Sequence, residues 1–143
     1  MDTNILVGIV RGAGFAQRVI DQHRIYDSPN FSLISVVSKG EIYSLARQFQ
    51  WRRQKMDALE AIIGQIPSVD ISDEKILIRY AEIDAFSQGR DLSRSLGSSS
   101  RNMGKNDLWI AATASVLNAH LVTTDQDFNH LDTTFLKLIR VSA

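Results

Sequence analysis

A chain of 143 residues that is 44% hydrophobic, 22% charged and formally neutral at pH 7 has the composition of one globular domain, residues 1–143, and folding at this length buries roughly 68–70% of the surface of the unfolded chain. The absence of cysteine excludes a disulfide framework, a thiolate metal site and a cysteine nucleophile, and it agrees with a cytoplasmic setting. No apolar run approaches the ~20 residues of a membrane span and no basic stretch leads into a signal-like segment, so neither membrane insertion nor secretion is expected.

In chain order, Asp2 stands just ahead of the apolar run ILVGIV, and residues 13–20 carry a short helical pattern. Residues 33–37 (LISVV) form a β-branched run suited to a strand buried on both faces. From Ser38 onward Ile42, Leu45, Ala46 and Phe49 recur at helical spacing; Met56, Leu59, Ile62 and Ile63 continue the pattern past a basic patch. This predicts two helices or one bent one. Ser72 followed by Asp73 and Glu74 reads as a capped helix start, with Ile76, Tyr80, Ile83 and Phe86 or Ser87 as the buried stripe. Residues 92–105 (LSRSLGSSSRNMGK) read as a long loop. Asn106 reads as the cap of a helix carrying Ile110, Ala111, Ala114 and Leu117 on one face, its alanines small enough for close packing on a sheet. Residues 120–124 (HLVTT) and 135–141 (FLKLIRV) read as strands. Strands separated by helices imply parallel crossovers, hence an α/β fold: three layers, α/β/α, around a central, mainly parallel sheet of four to five strands.

The charges are sorted along the chain although their sum is zero. Residues 39–55 hold Lys39, Arg47, Arg52, Arg53 and Lys55 against Glu41 alone; residues 90–105 hold Arg90, Arg94, Arg101 and Lys105 against Asp91. Between them, residues 57–84 carry seven acids against Lys75 and Arg79. Such sorting gives locally positive surface able to attract a polyanion, or simply solvated helix faces.

Ligand sites of parallel α/β sheets lie at the carboxyl ends of the strands, and four acids belong there. Asp2 opens the chain, Glu41 follows the LISVV strand on the first turn of the next helix, Asp107 lies on the first turn after the Ser-rich loop, and Asp125 follows LVTT, with Asp127 two residues on. Each has an ordinary structural explanation, as a first-turn acid or a turn aspartate. Their coincidence at one sheet edge does not. Carboxylates brought together repel unless protons or cations neutralise them, and magnesium or manganese, which prefer oxygen ligands, do so well.

DTNILV at the start, SVVSKGE around Glu41, GKNDLWIAATA over 104–114 and LVTTDQDF over 121–128 together resemble a PIN-domain ribonuclease, in particular a VapC-type toxin of a type II toxin–antitoxin pair, over essentially the whole chain. The resemblance implies Asp2, Glu41, Asp107 and Asp125 as catalytic, metal-binding acids, Asp127 as an auxiliary metal-binding acid, and Thr3, Asn4 and Thr123 as supporting polar groups. Relatives of this kind have several apolar residues ahead of the first aspartate, where this chain has only Met1; the expectation is either a late start of the chain or an unusually short first strand.

The activity implied is endoribonuclease: Mg2+- or Mn2+-assisted hydrolysis of a phosphodiester, leaving a 5′-phosphate and a 3′-hydroxyl. Arg52, Arg53, Arg101 and Lys105 are candidates for contact with RNA phosphates, Trp51 could stack on a base, and Trp109, at core spacing, is expected to be buried. The scattered histidines, His23, His120 and His130, are not needed. A small cognate antitoxin and a homodimer are the expected partners, with the amphipathic stretches 42–49 and 76–86 available as a groove or dimer face. The alternative is a PIN-fold RNA- or protein-binding module whose active site has decayed. A phosphoacceptor receiver domain is disfavoured, because the chain lacks paired acids near its start and any Lys-Pro pair.

Overall fold

The computed structural model describes residues 1–26 and 31–142. Its elements are α1 (Thr3–Val10), α2 (Gly14–His23), β1 (Ile34–Ser35), α3 (Val36–Gln48), α4 (Arg53–Gln65), β2 (Ser68–Val69), α5 (Glu74–Ser87), α6 (Lys105–Val116), β3 (His120–Thr123), a 3-10 turn (Gln126–Leu131) and β4 (Lys137–Arg140).

The four described strands pair in parallel, β1 with β2 and β3 with β4. The first two residues stand between the pairs: the Met1 amino group donates to Leu33 O at 2.9 Å, and Asp2 N donates to Val122 O at 3.1 Å. Side chains alternate across each strand. Leu121 and Leu138 pack with Ile83, Phe86, Leu108 and Ala111 of α5 and α6, whereas their neighbours Val122 and Ile139 pack with Ile5, Leu6, Ile42 and Leu59 of α1, α3 and α4. Helices therefore cover both faces of the strands, which gives the three-layer α/β arrangement.

Several boundaries differ from those expected. The strand within LISVV is only Ile34–Ser35, because the Ser35 hydroxyl accepts from Val37 N at 3.2 Å and caps α3, drawing both valines into the helix. The basic patch separates two helices, with Gln50 in left-handed backbone (φ 48°) between α3 and α4. Asp73 rather than Ser72 caps α5, accepting from Lys75 N at 2.8 Å. Gly104 rather than Asn106 precedes α6, and Leu117 is exposed beyond its end. The last strand is Lys137–Arg140, since the backbone N–H groups of residues 134–136 turn back to donate to Leu131 O. Residues 92–104 contain no helix or strand.

One glycine marks a close approach. At Gly8 an added Cβ would overlap Phe15 Cζ and lie 2.9 Å from Phe15 Cε2, so α1 and α2 meet where only hydrogen fits. Gly8→Ala is expected to cost roughly 1–3 kcal/mol by overpacking, net of the better helix propensity of alanine. Urea unfolding measures it, and the loss should shrink in a Phe15→Ala background, where the overlap is gone. Equal losses in both backgrounds would remove the overlap as the cause.

Candidate active site

Each acid reaches its place by a local device. Asp2 is the N-cap of α1, its Oδ1 accepting from Ile5 N at 2.9 Å. Asp125 lies two residues past the end of β3 and caps the 3-10 turn, its Oδ1 accepting from Asp127 N at 2.8 Å. Asp107 lies in the first turn of α6, where the helix dipole favours a negative charge. Glu41 lies in the second turn of α3 rather than the first, because the helix begins at Val36.

The four carboxylates line one cleft of about 830 Å³, whose walls also include Thr3, Asn4, Asn106 and Trp109. Glu41, Ser44, Leu45 and Gln48 form one wall, the i, i+3, i+4, i+7 stripe of α3. Hydrogen bonds fix two of the acids. Glu41 Oε2 accepts from the Thr3 hydroxyl and Oε1 from Asn106 Nδ2, the latter at 2.7 Å. Asp2 Oδ2 accepts from the Thr123 hydroxyl, whose oxygen in turn accepts from Asp125 N at 2.9 Å.

Asp107 is different. Burial, followed by the negative charges of Asp125, Glu41, Asp127 and Asp2, pushes its carboxyl up to about 6. Burial likewise raises Asp2, against the opposing pull of hydrogen bonds from Thr123 and Ile5. Asp107 also depends on its neighbour in sequence, since a Cβ on Gly104 would lie 2.6 Å from Asp107 Oδ2. The absence of a side chain at 104 leaves room for that carboxylate to fold back over the helix start.

Apart from Trp109, the other candidate residues lie outside the cleft wall. Asp127 is exposed and acts on Asp107 through its charge. Lys105 Nζ is 3.8 Å from Asp84, and exposed Arg101 is anchored by its backbone N, which donates to Ser87 O at 2.8 Å. Arg53 pairs with Asp57 at 2.8 Å, and Arg52 lines a separate groove with Trp51. Half-buried Trp109 stacks on Tyr80, ring centroids 4.1 Å apart, while it borders the cleft. His130 bonds the Ser87 hydroxyl at 2.7 Å, and neither residue lines the cleft.

Asn106 is the residue the sequence reading assigned elsewhere, to a helix cap. The signal was its place beside Asp107 in the first turn, where a side chain reaches the same strand edge.

The donor set is entirely hard oxygen. A carboxyl whose ionisation is opposed by burial and four neighbouring acids is relieved by a proton or by a divalent cation, and oxygen-only donors suit magnesium or manganese. Among the described residues no three acidic or histidine side chains are gathered closely enough to hold an ion as they stand; hydrogen bonds hold Asp2 and Glu41 instead.

A family profile described as the PIN domain matches residues 1–133. The chain belongs to the PIN-domain family. The match spans Asp2, Glu41, Asp107, Asp125 and Asp127. Among solved structures, this PIN domain is similar to VapBC2 from Rickettsia felis bound to a DNA fragment from their promoter, with 21% identity, a TM-score of 0.75, and coverage of 98% of this chain and 96% of that one. It is similar to VapBC-1 from nontypeable Haemophilus influenzae at 26% identity, TM-score 0.68, covering 97% and 94% of the two chains. A toxin–antitoxin complex from Klebsiella pneumoniae matches at 18% identity, TM-score 0.67, covering 96% and 92%. No curated protein sequence matches the chain.

The raised Asp107 value makes stability depend on pH in a definite direction. Its ordinary value is 3.8 and its folded-state value about 6, so the folded chain holds this proton more tightly than the unfolded one. Below the lower value both states are protonated and the shift costs nothing; stability falls as pH rises between the two values, and the full cost persists above the upper one. Asp107→Asn is therefore expected to stabilise the metal-free fold at pH 7 by about 1–2 kcal/mol, less than the full shift implies because solvent screens a half-buried group. The gain should vanish near pH 4. Urea midpoints across this range test it, and an Asp107→Asn chain no more stable than wild type at pH 7 would contradict the repulsion.

Proposed function

We propose that this PIN-domain protein is a metal-dependent endoribonuclease of VapC type, the toxin of a toxin–antitoxin pair. The observation that carries the reading is the convergence of Asp2, Glu41, Asp107 and Asp125 on one cleft, in which burial and then the charges of the other acids raise the Asp107 carboxyl. The near full-length likeness to VapBC-1 at 26% identity supports the toxin assignment and a small cognate antitoxin as partner; a homodimer is part of the same reading.

In this reading Asp2, Glu41, Asp107 and Asp125 hold magnesium or manganese, and Asp127 adds negative charge at the rim. The bound ion supplies Lewis-acid activation of water and neutralises charge on the phosphate. Thr123 fixes the Asp2 carboxylate and is itself fixed by Asp125 N. Thr3 and Asn106 orient Glu41 from two different helices, and Asn4 offers an amide at the mouth of the cleft. Trp109 forms an apolar margin that limits water around the acids. Hydrolysis by water, rather than attack by the ribose 2′-hydroxyl, leaves a 5′-phosphate and a 3′-hydroxyl.

Purified protein is expected to cleave RNA only with added magnesium or manganese, and Asp107→Asn to lower the rate at least about a hundredfold, the scale of several kcal/mol of lost charge stabilisation. Manganese should raise the melting temperature of the wild type, and that of Asp107→Asn far less. Cleavage unaffected by excess chelator or by the substitution would end the reading.

One observation favours a second reading, a PIN-fold binding module without activity: the oxygens of Asp2 and Glu41 are already satisfied by Thr123, Ile5, Thr3 and Asn106. Manganese titration separates the two, because the module would show neither saturable stabilisation nor cleavage.

A further inference from the structure

We propose that the groove at the α3–α4 turn is a docking site for single-stranded RNA, holding the part of the strand that lies outside the acid cleft; this rests on the nuclease reading and names where its substrate is anchored. The groove, about 510 Å³, is lined by Phe49, Trp51, Arg52 and Lys55 among others. Phe49 is 62% exposed, an unusual position for a phenylalanine. Trp51 is half-buried, packed against the α1–α3–α4 core cluster, with Lys55 Nζ 5.1 Å from its ring centroid.

Aromatic rings flanked by cations are the combination that single-stranded nucleic acid uses, bases stacking on the rings while phosphates meet the charges. Arg53 is engaged by Asp57, but Arg52 and Arg47 make no ion pair among the described residues, and both are exposed. A partner helix would call for a contiguous aliphatic stripe, whereas here the aliphatic lining is only Val10 and Ala58 beside two aromatic side chains, with Arg52 and Lys55 at the rim.

Geometry links the groove to the cleft. The α3 stripe that walls the cleft ends at Gln48, and the next residue, Phe49, opens the groove. From Glu41 to Phe49 is about 12 Å along the helix, eight residues at ~1.5 Å each. Charge gives the linkage its purpose. The cleft is acidic and repels a polyanion until cations fill it, so affinity for RNA must come from basic surface beside it, and this groove supplies it at the end of the same helix.

The test uses the full chain carrying Asp107→Asn, in buffer with magnesium, and a fluorescein-labelled single-stranded RNA of about twelve nucleotides, read by fluorescence anisotropy. Adding Phe49→Ala, or Arg52→Glu with Lys55→Glu, should weaken binding about tenfold or more. The charge variant should also flatten the dependence of log K on log salt by about 1.4, two contacts at ~0.7 each for a single strand. These side chains are at the surface, and melting curves of each variant confirm folding; Trp51→Phe, which keeps a ring, should bind better than Trp51→Ala. Unchanged affinity in the folded variants overturns the proposal, as does the absence of RNA binding by the parent chain, or loss of binding to a co-expressed protein partner with RNA binding intact. Failure of the wild type to cleave RNA overturns the nuclease reading instead, and the anisotropy still reports on the groove.

Discussion

Electrostatic crowding around Asp107 is the constraint on which the site depends. Burial and four neighbouring acids lift its carboxyl to about 6, which means that folding takes this carboxyl out of water and assembles a group of like charges around it. Such an arrangement persists only because other parts of the fold hold it. Two apolar clusters, one on each face of the strands, supply that stability, since the burial of side chains such as Leu108, Leu121, Ile5 and Leu59 is favourable by roughly 1.5–3 kcal/mol each.

Backbone and hydroxyl groups then divide the work of aiming the acids. Asp2 is locked between α1 and β3, capping the one through Ile5 N and meeting the other through the Thr123 hydroxyl. Asp125 is directed by the turn it caps. Among the described residues Asp107 has no such partner and instead folds back over Gly104, where any side chain would intrude. The least tethered carboxylate is thus also the one whose charge is most opposed, a combination suited to a group that exchanges a proton for a cation.

The positions of the acids along the chain were legible because each lies close to a strand end or a helix start, and parallel α/β architecture puts those junctions on one edge. The alternation of Leu121 and Val122 between two cores follows from their neighbouring places in one strand. What could not be read was where short strands give way to helices. LISVV is rich in β-branched residues, yet the Ser35 cap ends the strand after two residues, a local hydrogen bond overriding propensity. That shift moved Glu41 from the first to the second turn. Asn106 was misassigned for a similar reason: amides serve equally well as caps and as partners for a distant carboxylate, and only the packing of α6 against α3 decides. The basic candidates scattered for a simpler cause, since long flexible side chains take whatever acid is near, Asp57 for Arg53 and Asp84 for Lys105.

Glu41 accepts hydrogen bonds from α1 through Thr3 and from α6 through Asn106 while it rides on α3. Three helices from distant parts of the chain therefore share one carboxylate as a common keystone. Any local opening that frees α6 removes Asn106 and Asp107 in the same motion and leaves Glu41 held by Thr3 alone. Competence at this edge is gained and lost as a unit, and its protection against amide hydrogen exchange would track that of the three helices together rather than of any one.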